Sequence, residues 1–298
     1  MSYETEFKGI CDLHIHAGPS ISKRAVDAWE VFKNAEEAGY RAVIIKDHYF
    51  PTMMEAEVVQ KHAGEDSETR IFGEICLNNA QGGINLKAVD AACGMNVKIV
   101  CMPTVSAKHH QRMYEGKTFV GGGKESVQEK PIYYLDENGD LLPEVEAVLD
   151  YLAKKPEVVL ATGHGSPEEI DVLVKTAVKK GIRRILVNHP FCLIDASKEQ
   201  MKEWASLGAF LEINACDVDE VSSFGDGDPE LVQWMIDNIP SDRLIVSSDY
   251  GQNGNIEPVE GLLHFTQYLQ TRFGATPEQV RRMCVTNPGW LMSLNELD

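Results

Sequence analysis

Eight short apolar runs, each followed by a stretch with helical spacing, constrain this chain more than any other feature. They fall at about 10–16, 42–48, 70–79, 97–104, 158–164, 184–190, 209–214 and 243–249. Runs such as Ala42-Val-Ile-Ile and Leu244-Ile-Val are apolar on both faces, as strands buried in a parallel sheet must be. Between them, Val26, Trp29 and Phe32 recur at helical spacing ahead of Gly39, a good helix stop. Ser166-Pro167-Glu-Glu169 and Thr276-Pro277-Glu-Gln279 open later helices with a capping pattern and proline in the first turn. Eight such units predict a (β/α)8 TIM barrel of the α/β class, one domain over residues 1–298. No Gly-x-Gly-x-x-Gly follows the first strand, so a dinucleotide-binding open sheet is poorly supported.

The rhythm breaks once. Residues from about 105 to 143 hold Lys108-His-His110-Gln-Arg112, the run Gly121-Gly-Gly123, and an Asn138-Gly139 turn between Tyr134-Leu135 and Leu141-Leu142. Asn-Gly between apolar pairs is a hairpin signal. The stretch reads as a flap inserted after strand four, with the glycine run as its flexible joint. Because that strand opens onto the active-site end of a barrel, the flap is expected to cover the site. A contact between copies of the chain in a homo-oligomer is the alternative use of the hairpin.

Composition narrows the partners. A net charge of −18 argues against tracking along nucleic acid. No apolar run reaches the roughly 18 residues that span a bilayer. The polar, acidic start Met1-Ser-Tyr-Glu-Thr-Glu6 is unlike a signal peptide. Seven scattered cysteines without a Cys-x-x-Cys suit free thiols in a reducing cytoplasm.

The C-terminal ends of barrel strands build the active site. Here they carry His14 and His16, Lys46 and His48, Asn78, Thr104, His164, His189, Asn214 and Asp249. His14 and His16 are two apart and share a strand face, with Asp12 one step below. Each residue alone has an ordinary explanation: His189 before Pro190 ends a strand, and Asp249 caps a turn. Together, four imidazoles and a carboxylate converging from several strand ends predict a site for Zn2+ or a similar first-row ion such as Mn2+. Lys46, at the edge of an apolar run, needs an anion or an internal carboxylate, Glu74 or Glu212. The expected substrate is a small anionic molecule held by Lys46, His48 and Asn78, with Arg112 reaching in from the flap.

The pattern of His-x-His on strand one, single histidines on strands five and six and an aspartate on strand eight resembles the amidohydrolase superfamily of metal-dependent hydrolases. Asp12-Leu-His-Ile-His-Ala-Gly-Pro19, Ala161-Thr-Gly-His164 and Ser247-Ser-Asp-Tyr-Gly251 look most like an uncharacterised bacterial and archaeal branch of it. The resemblance implies that His14, His16, His164, His189 and Asp249 hold one or two metal ions and that Asp249 shuttles a proton. Two departures stand out. Binuclear members often carry a bridging carbamylated lysine at the end of strand four, where this chain has Thr104. The glutamates after His164 read as a helix cap, unlike the catalytic glutamate of deaminase-type members. One ion is therefore favoured, with Lys46 or Glu74 as the residues that would rescue a second.

The expected reaction is metal-assisted hydrolysis of a small amide, lactone or related ester, with Asp249 taking the proton of the attacking water. His189 serves as a second-metal ligand or steadies the developing oxyanion. The alternatives are a decarboxylase or lyase on the same barrel, a phosphoester hydrolase, which the acidic balance disfavours, and a metal-dependent binding protein without catalysis.

Overall fold

Parallel strands β1 Cys11–His16, β2 Ala42–Lys46, β3 Arg70–Cys76, β4 Ile99–Cys101, β5 Val159–Ala161, β6 Ile185–Val187, β7 Phe210–Asn214 and β8 Leu244–Ser247 pair in sequence order. The computed structural model describes residues 8–64, 66–119, 122–123 and 127–294. The last strand returns to the first: Asp249 N donates to His14 O at 2.8 Å and His16 N to Tyr250 O at 2.9 Å. The sheet is a nearly closed barrel alternating with helices, as the eight-unit rhythm predicts. Its strands are shorter than the apolar runs. β5 stops at Ala161 and β6 at Val187, so His164 and His189 sit on the loops just beyond.

Side-chain alternation divides the barrel wall. Ala42, Ile44, Ile99, Cys101, Val159, Ala161, Leu186 and Ile245 fill the interior. Val43, Ile45, Val100, Leu160, Val187, Leu211 and Val246 face the surrounding helices and form the larger core. β1 departs from this rule. Its register against β2 shifts between Asp12 and Ile15. Below the shift Cys11 and Leu13 belong to the inner cluster, and above it Ile15 and Ala17 belong to the outer one. The slip turns His14 and His16 inward, because one displaced residue moves the following side chains to the other face. Asp12 is therefore not in one row with the histidines. It lies on the β1–β8 seam, its Oδ1 accepting from His14 N at 3.1 Å and Ser248 N at 3.0 Å.

Helix α1 spans Ala28–Glu37 and starts later than the spacing of Val26 predicts. Asp27 and Glu30 form a reciprocal capping box there, which fixes the helix start. The residues before it run back along the end of β8. Ala25 N donates to Gly251 O at 2.9 Å, and Arg24 bridges Gln252. Helices α2 Met53–Ala63 and α3 Leu86–Gly94 follow β2 and β3.

After β4 the chain forms α4 Lys108–Met113 and then passes Tyr114 and Phe119. It returns through Ile132, which bridges Ala107, and a tight turn closed by Asp136 N to Asp140 O at 2.8 Å. The expected hairpin is this turn with a single Leu135–Leu141 bridge. Gly121 of the expected joint lies outside the described residues. The buried Tyr134 hydroxyl lies 2.9 Å from Pro103 O and 3.0 Å from Thr162 O, which ties this stretch to the C-terminal ends of β4 and β5.

Gly251 shows how tightly the barrel mouth is closed. Its φ is +118°, and an added Cβ would fall 1.7 Å from His16 O, a backbone atom that cannot swing aside. Gly274 also has positive φ, +66°, but open space around it. Gly274→Ala should therefore cost only the backbone penalty of about 1–2 kcal/mol. Gly251→Ala should cost at least ~2 kcal/mol more in urea unfolding, from the clash. Equal losses in the two variants would mean that the β1–β8 mouth yields freely.

Candidate metal centre

His14 and His16 leave β1 pointing at one carboxylate. His14 Nε2 and His16 Nε2 lie 3.2 Å and 3.1 Å from Asp249 Oδ1, and His189 Nε2 lies 3.7 Å from Asp249 Oδ2. His189 and Asp249 have φ of +44° and +51°, left-handed conformations that cost of order 1–3 kcal/mol each. Both residue types tolerate this region better than most. That backbone turns each side chain off its strand end and into the barrel mouth. A nitrogen lone pair does not face a carboxylate oxygen at 3 Å unless a proton or cation lies between them.

The far nitrogens of His14 and His189 are held by carboxylates, whereas the buried Nδ1 of His16 has no partner among the described residues. His14 Nδ1 is 3.3 Å from Glu212, and Asn188 Nδ2 donates to the same carboxylate at 2.8 Å. His189 Nδ1 is 3.1 Å from Asp217 Oδ2. A carboxylate behind an imidazole fixes its tautomer with the hydrogen on Nδ1 and leaves Nε2 free to ligate. Burial pulls the His14 imidazole down, but Asp249 and Glu212 outweigh it and hold it up at about 9. His189 is likewise raised, Asp217 overcoming the burial penalty. Burial alone would raise Glu212, yet His14 keeps that carboxylate well below its ordinary range.

His164 faces the same cavity, which has a volume of about 140 Å³ and is also lined by His48, Phe119 and Gln252. Its Nδ1 lies 2.9 Å from His110 Nδ1, and its buried Nε2 has no partner among the described residues. The donor set of three or four imidazole nitrogens and one carboxylate, with a free Nε2 on His164, fits a divalent first-row ion. One ligand atom from each of His14, His189 and Asp249 lies within 4.8 Å of the others.

All five sequence-derived ligands, His14, His16, His164, His189 and Asp249, line one cavity, and so does His48. Three substrate candidates do not. Lys46 is fully buried with Nζ 2.9 Å from Glu74 Oε1, so the internal carboxylate has taken the place reserved for a substrate anion. That pairing joins the two residues expected to rescue a second ion to each other. Glu74, Cys76 and Cys101 are close enough to hold a cation, but the Lys46 ammonium is already there, 3.7 Å from Cys101 Sγ. Asn78 is spent on its own neighbours, Thr104, Ser106 and His48 O. Arg112 is exposed on α4 and outside the cavity lining. Glu169 caps its helix at Ser166 and accepts from Tyr134 N, which agrees with the cap reading.

Sequence reasoning missed Asp217, which follows β7 on the short helix Ala215–Val218, and the pairing of Glu212 with His14. The rule that strand ends build the site extends to Asp217, three residues past Asn214, and could have found it. Nothing local marks Glu212 as the partner of a residue 198 positions away.

A family model described as "Family of unknown function (DUF6282)" matches residues 9–212. The chain belongs to this family. No curated protein matches it. Among solved structures, an amidohydrolase from Pseudomonas aeruginosa shares the fold at TM-score 0.62 and 13% identity, over 97% of this chain and 96% of that one. A 2,6-dihydroxybenzoate decarboxylase from Rhizobium follows at TM-score 0.53 and 10% identity, over 97% and 100%. An organophosphorus hydrolase from Deinococcus radiodurans gives 0.52 and 14%, over 95% and 92%. Its structural neighbours are thus TIM barrels of the amidohydrolase superfamily, and at these identities the likeness is one of fold.

Metal uptake by this site should expel protons. His14 at about 9 is protonated near neutral pH in the metal-free protein and must lose that proton to ligate. Calorimetric Zn2+ titration near pH 7 in buffers of different ionisation heat should show about one proton or more released per ion. Apparent affinity should rise with pH up to the His14 value. A binding heat independent of the buffer would contradict this linkage.

Proposed function

We propose that the chain is a metal-dependent hydrolase that cleaves a small amide, lactone or related ester. One observation carries the reading: the Nε2 atoms of His14, His16 and His189 converge on Asp249 while carboxylates grip His14 and His189 from behind. A bound Zn2+ or Mn2+ would supply a water of lowered pKa and polarise the scissile oxygen. His14, His16, His189 and Asp249, with His164, would hold it. The absence of a carbamylated lysine, with Thr104 at that position, favours one ion.

Asp249 accepts the proton of the attacking water and passes it to the leaving group. Its backbone, anchored to His14 O, keeps the carboxylate within reach of the histidines. Tyr114 and Phe119, on the stretch that follows β4, line the cavity and act as a lid that excludes water from the bound substrate. The protein works on a small anionic molecule, with neither nucleic acid nor membrane as partner. No described helix is long and apolar enough to cross a membrane, and the seven unpaired cysteines suit a cytoplasmic setting.

The decarboxylase among the fold neighbours supports a second reading, loss of CO2 from an aromatic acid on the same centre. A panel of small amides, lactones and esters, with 2,6-dihydroxybenzoate as the decarboxylation arm, separates the two. On whichever substrate turns over, Asp249→Asn should keep the melting profile and lower kcat by about a hundredfold or more, because the amide cannot accept the proton. Near-normal turnover would remove Asp249 from the chemistry. Phe119→Ala should raise KM and leave metal content unchanged. Unaltered kinetics in that variant would count against the lid.

A further inference from the structure

The groups behind the cavity imidazoles decide what each ring can offer. Thr104 N and Ser106 N donate to Asn78 Oδ1 at 2.8 Å and 3.2 Å. Backbone amides only donate, which fixes the oxygen end of the Asn78 amide. Its nitrogen donates to His48 O at 2.8 Å and to Thr104 Oγ1 at 2.7 Å. The Thr104 hydroxyl is buried, and His48 Nδ1 at 3.0 Å is the one acceptor left for its proton among the described residues. A hydrogen on His48 Nδ1 would strand that proton in the interior, which is costly. Thr104 therefore donates to Nδ1, and the ring hydrogen of His48 sits on Nε2.

The surroundings of that hydrogen are the second observation. His48 is 2% exposed, and its Nε2 is buried with no partner among the described residues. The residue lines the cavity, and so do three rings around it: His16 at 4.9 Å between centroids, Phe119 at 5.6 Å and His164 at 6.2 Å. An orphaned N–H in such a place is costly unless something that enters the cavity accepts it. A metal ion does not meet this need. Nε2 ligates only after giving up its hydrogen, and that again strands the Thr104 proton. Carboxylates behind His14 and His189 impose the opposite polarity, so there Nε2 offers a lone pair. His48, beside them, offers a hydrogen, and the partner it lacks is an acceptor.

We propose that His48 Nε2–H holds the carbonyl oxygen of the bond under attack, on the His16 side of the cavity, and that Thr104, held by Asn78, is the positioning residue that keeps the hydrogen there. The contact tightens as the oxygen gains negative charge, so it favours the tetrahedral state over the ground state. The inference rests on the hydrolase reading and assigns its oxyanion donor. His189, the sequence candidate for that task, has Nδ1 against Asp217 and turns Nε2 toward Asp249. Lys46, expected to act beside His48, is paired with Glu74.

Proton position and binding can both be read without turnover, so failure here is distinct from failure of the substrate panel. Nitrogen-15 NMR should place the His48 hydrogen on Nε2 in chelator-treated and in Zn2+-loaded protein. In Thr104→Val the hydrogen should spread over both ring nitrogens, and an unmoved hydrogen would strike Thr104 from the proposal. Two probes are then titrated into Zn2+-loaded protein. Acetohydroxamate binds zinc through oxygen and offers that oxygen to a donor, whereas ethanethiol binds zinc through sulfur. His48→Phe should lower acetohydroxamate affinity about tenfold and leave ethanethiol affinity nearly unchanged. His48→Gln, whose amide nitrogen stands near the Nε2 position, should recover most of the loss. Zinc stoichiometry should be the same in both variants. A His48 hydrogen on Nδ1, its loss from Nε2 on Zn2+ loading, or undiminished acetohydroxamate affinity in folded His48→Phe would overturn the proposal. Equal losses for the two probes would do the same, since they would make the role structural. The spectrum of the wild type decides the matter if the His48 variants do not fold.

Discussion

Asp249 does two jobs with one residue, and the rest of the site depends on their being inseparable. Its amide closes the seam between the last strand and the first by donating to His14 O, and its carboxylate receives the imidazoles of His14 and His16. The left-handed backbone at φ +51° lets amide and carboxylate serve both ends of that seam. Gly251, two residues on, passes so close to His16 O that a side chain has no room. The same residues therefore close the barrel and carry the site's carboxylate. The scaffold's own hydrogen bonds hold the Asp249 carboxylate beside His14 and His16.

Below this layer the barrel interior is charged, which is unusual for a core. Lys46 pairs with Glu74, and Glu212 with His14, all of them nearly or fully buried. A buried ion pair is weak evidence for stability, because desolvation consumes most of the attraction. These pairs are better understood through the metal centre above them. An unpaired Lys46 ammonium would repel both an incoming cation and the imidazolium of His14. Glu74 offsets part of that charge at 2.9 Å, although Lys46 still pulls the imidazoles at the mouth down, and Glu212 adds negative charge directly behind His14. Both carboxylates reduce the positive charge that an incoming cation would meet.

Much of this was readable in the sequence because barrel geometry converts strand position into site position. His14, His16, His164, His189 and Asp249 could be gathered from their places at strand ends without knowing a single contact. What failed were inferences that needed partners. Lys46 has the right parity for the cavity, but parity cannot say whether a carboxylate from β3 reaches it first. Asp12, His14 and His16 read as one row, and the register slip inside β1 has no signature in Asp12-Leu-His14. Arg112 sat in a stretch that folds over the site, yet its own side chain turns to solvent. The fold-back of residues 18–26 along the end of β8 was likewise illegible, because it is tertiary and leaves no periodicity.

The same limit governs the histidines. Sequence sees identical residues at strand ends, and chemistry asks whether each presents a lone pair or a hydrogen. That choice is made one bond further out, by the polarity of the group behind the ring. Glu212 and Asp217 accept, so His14 and His189 are ligands in waiting. His110 stands behind His164 as a neutral ring able to accept, its pKa pulled down to about 3 by burial and by His189 and His109. Thr104 is left to donate to His48 Nδ1, because Asn78 donates to its oxygen and the hydroxyl proton has no other acceptor among the described residues. Thr104 follows β4, where the sequence resemblance to binuclear amidohydrolases leads one to expect a bridging lysine. Here Thr104 Oγ1 lies 3.0 Å from Nδ1 of the cavity-lining His48.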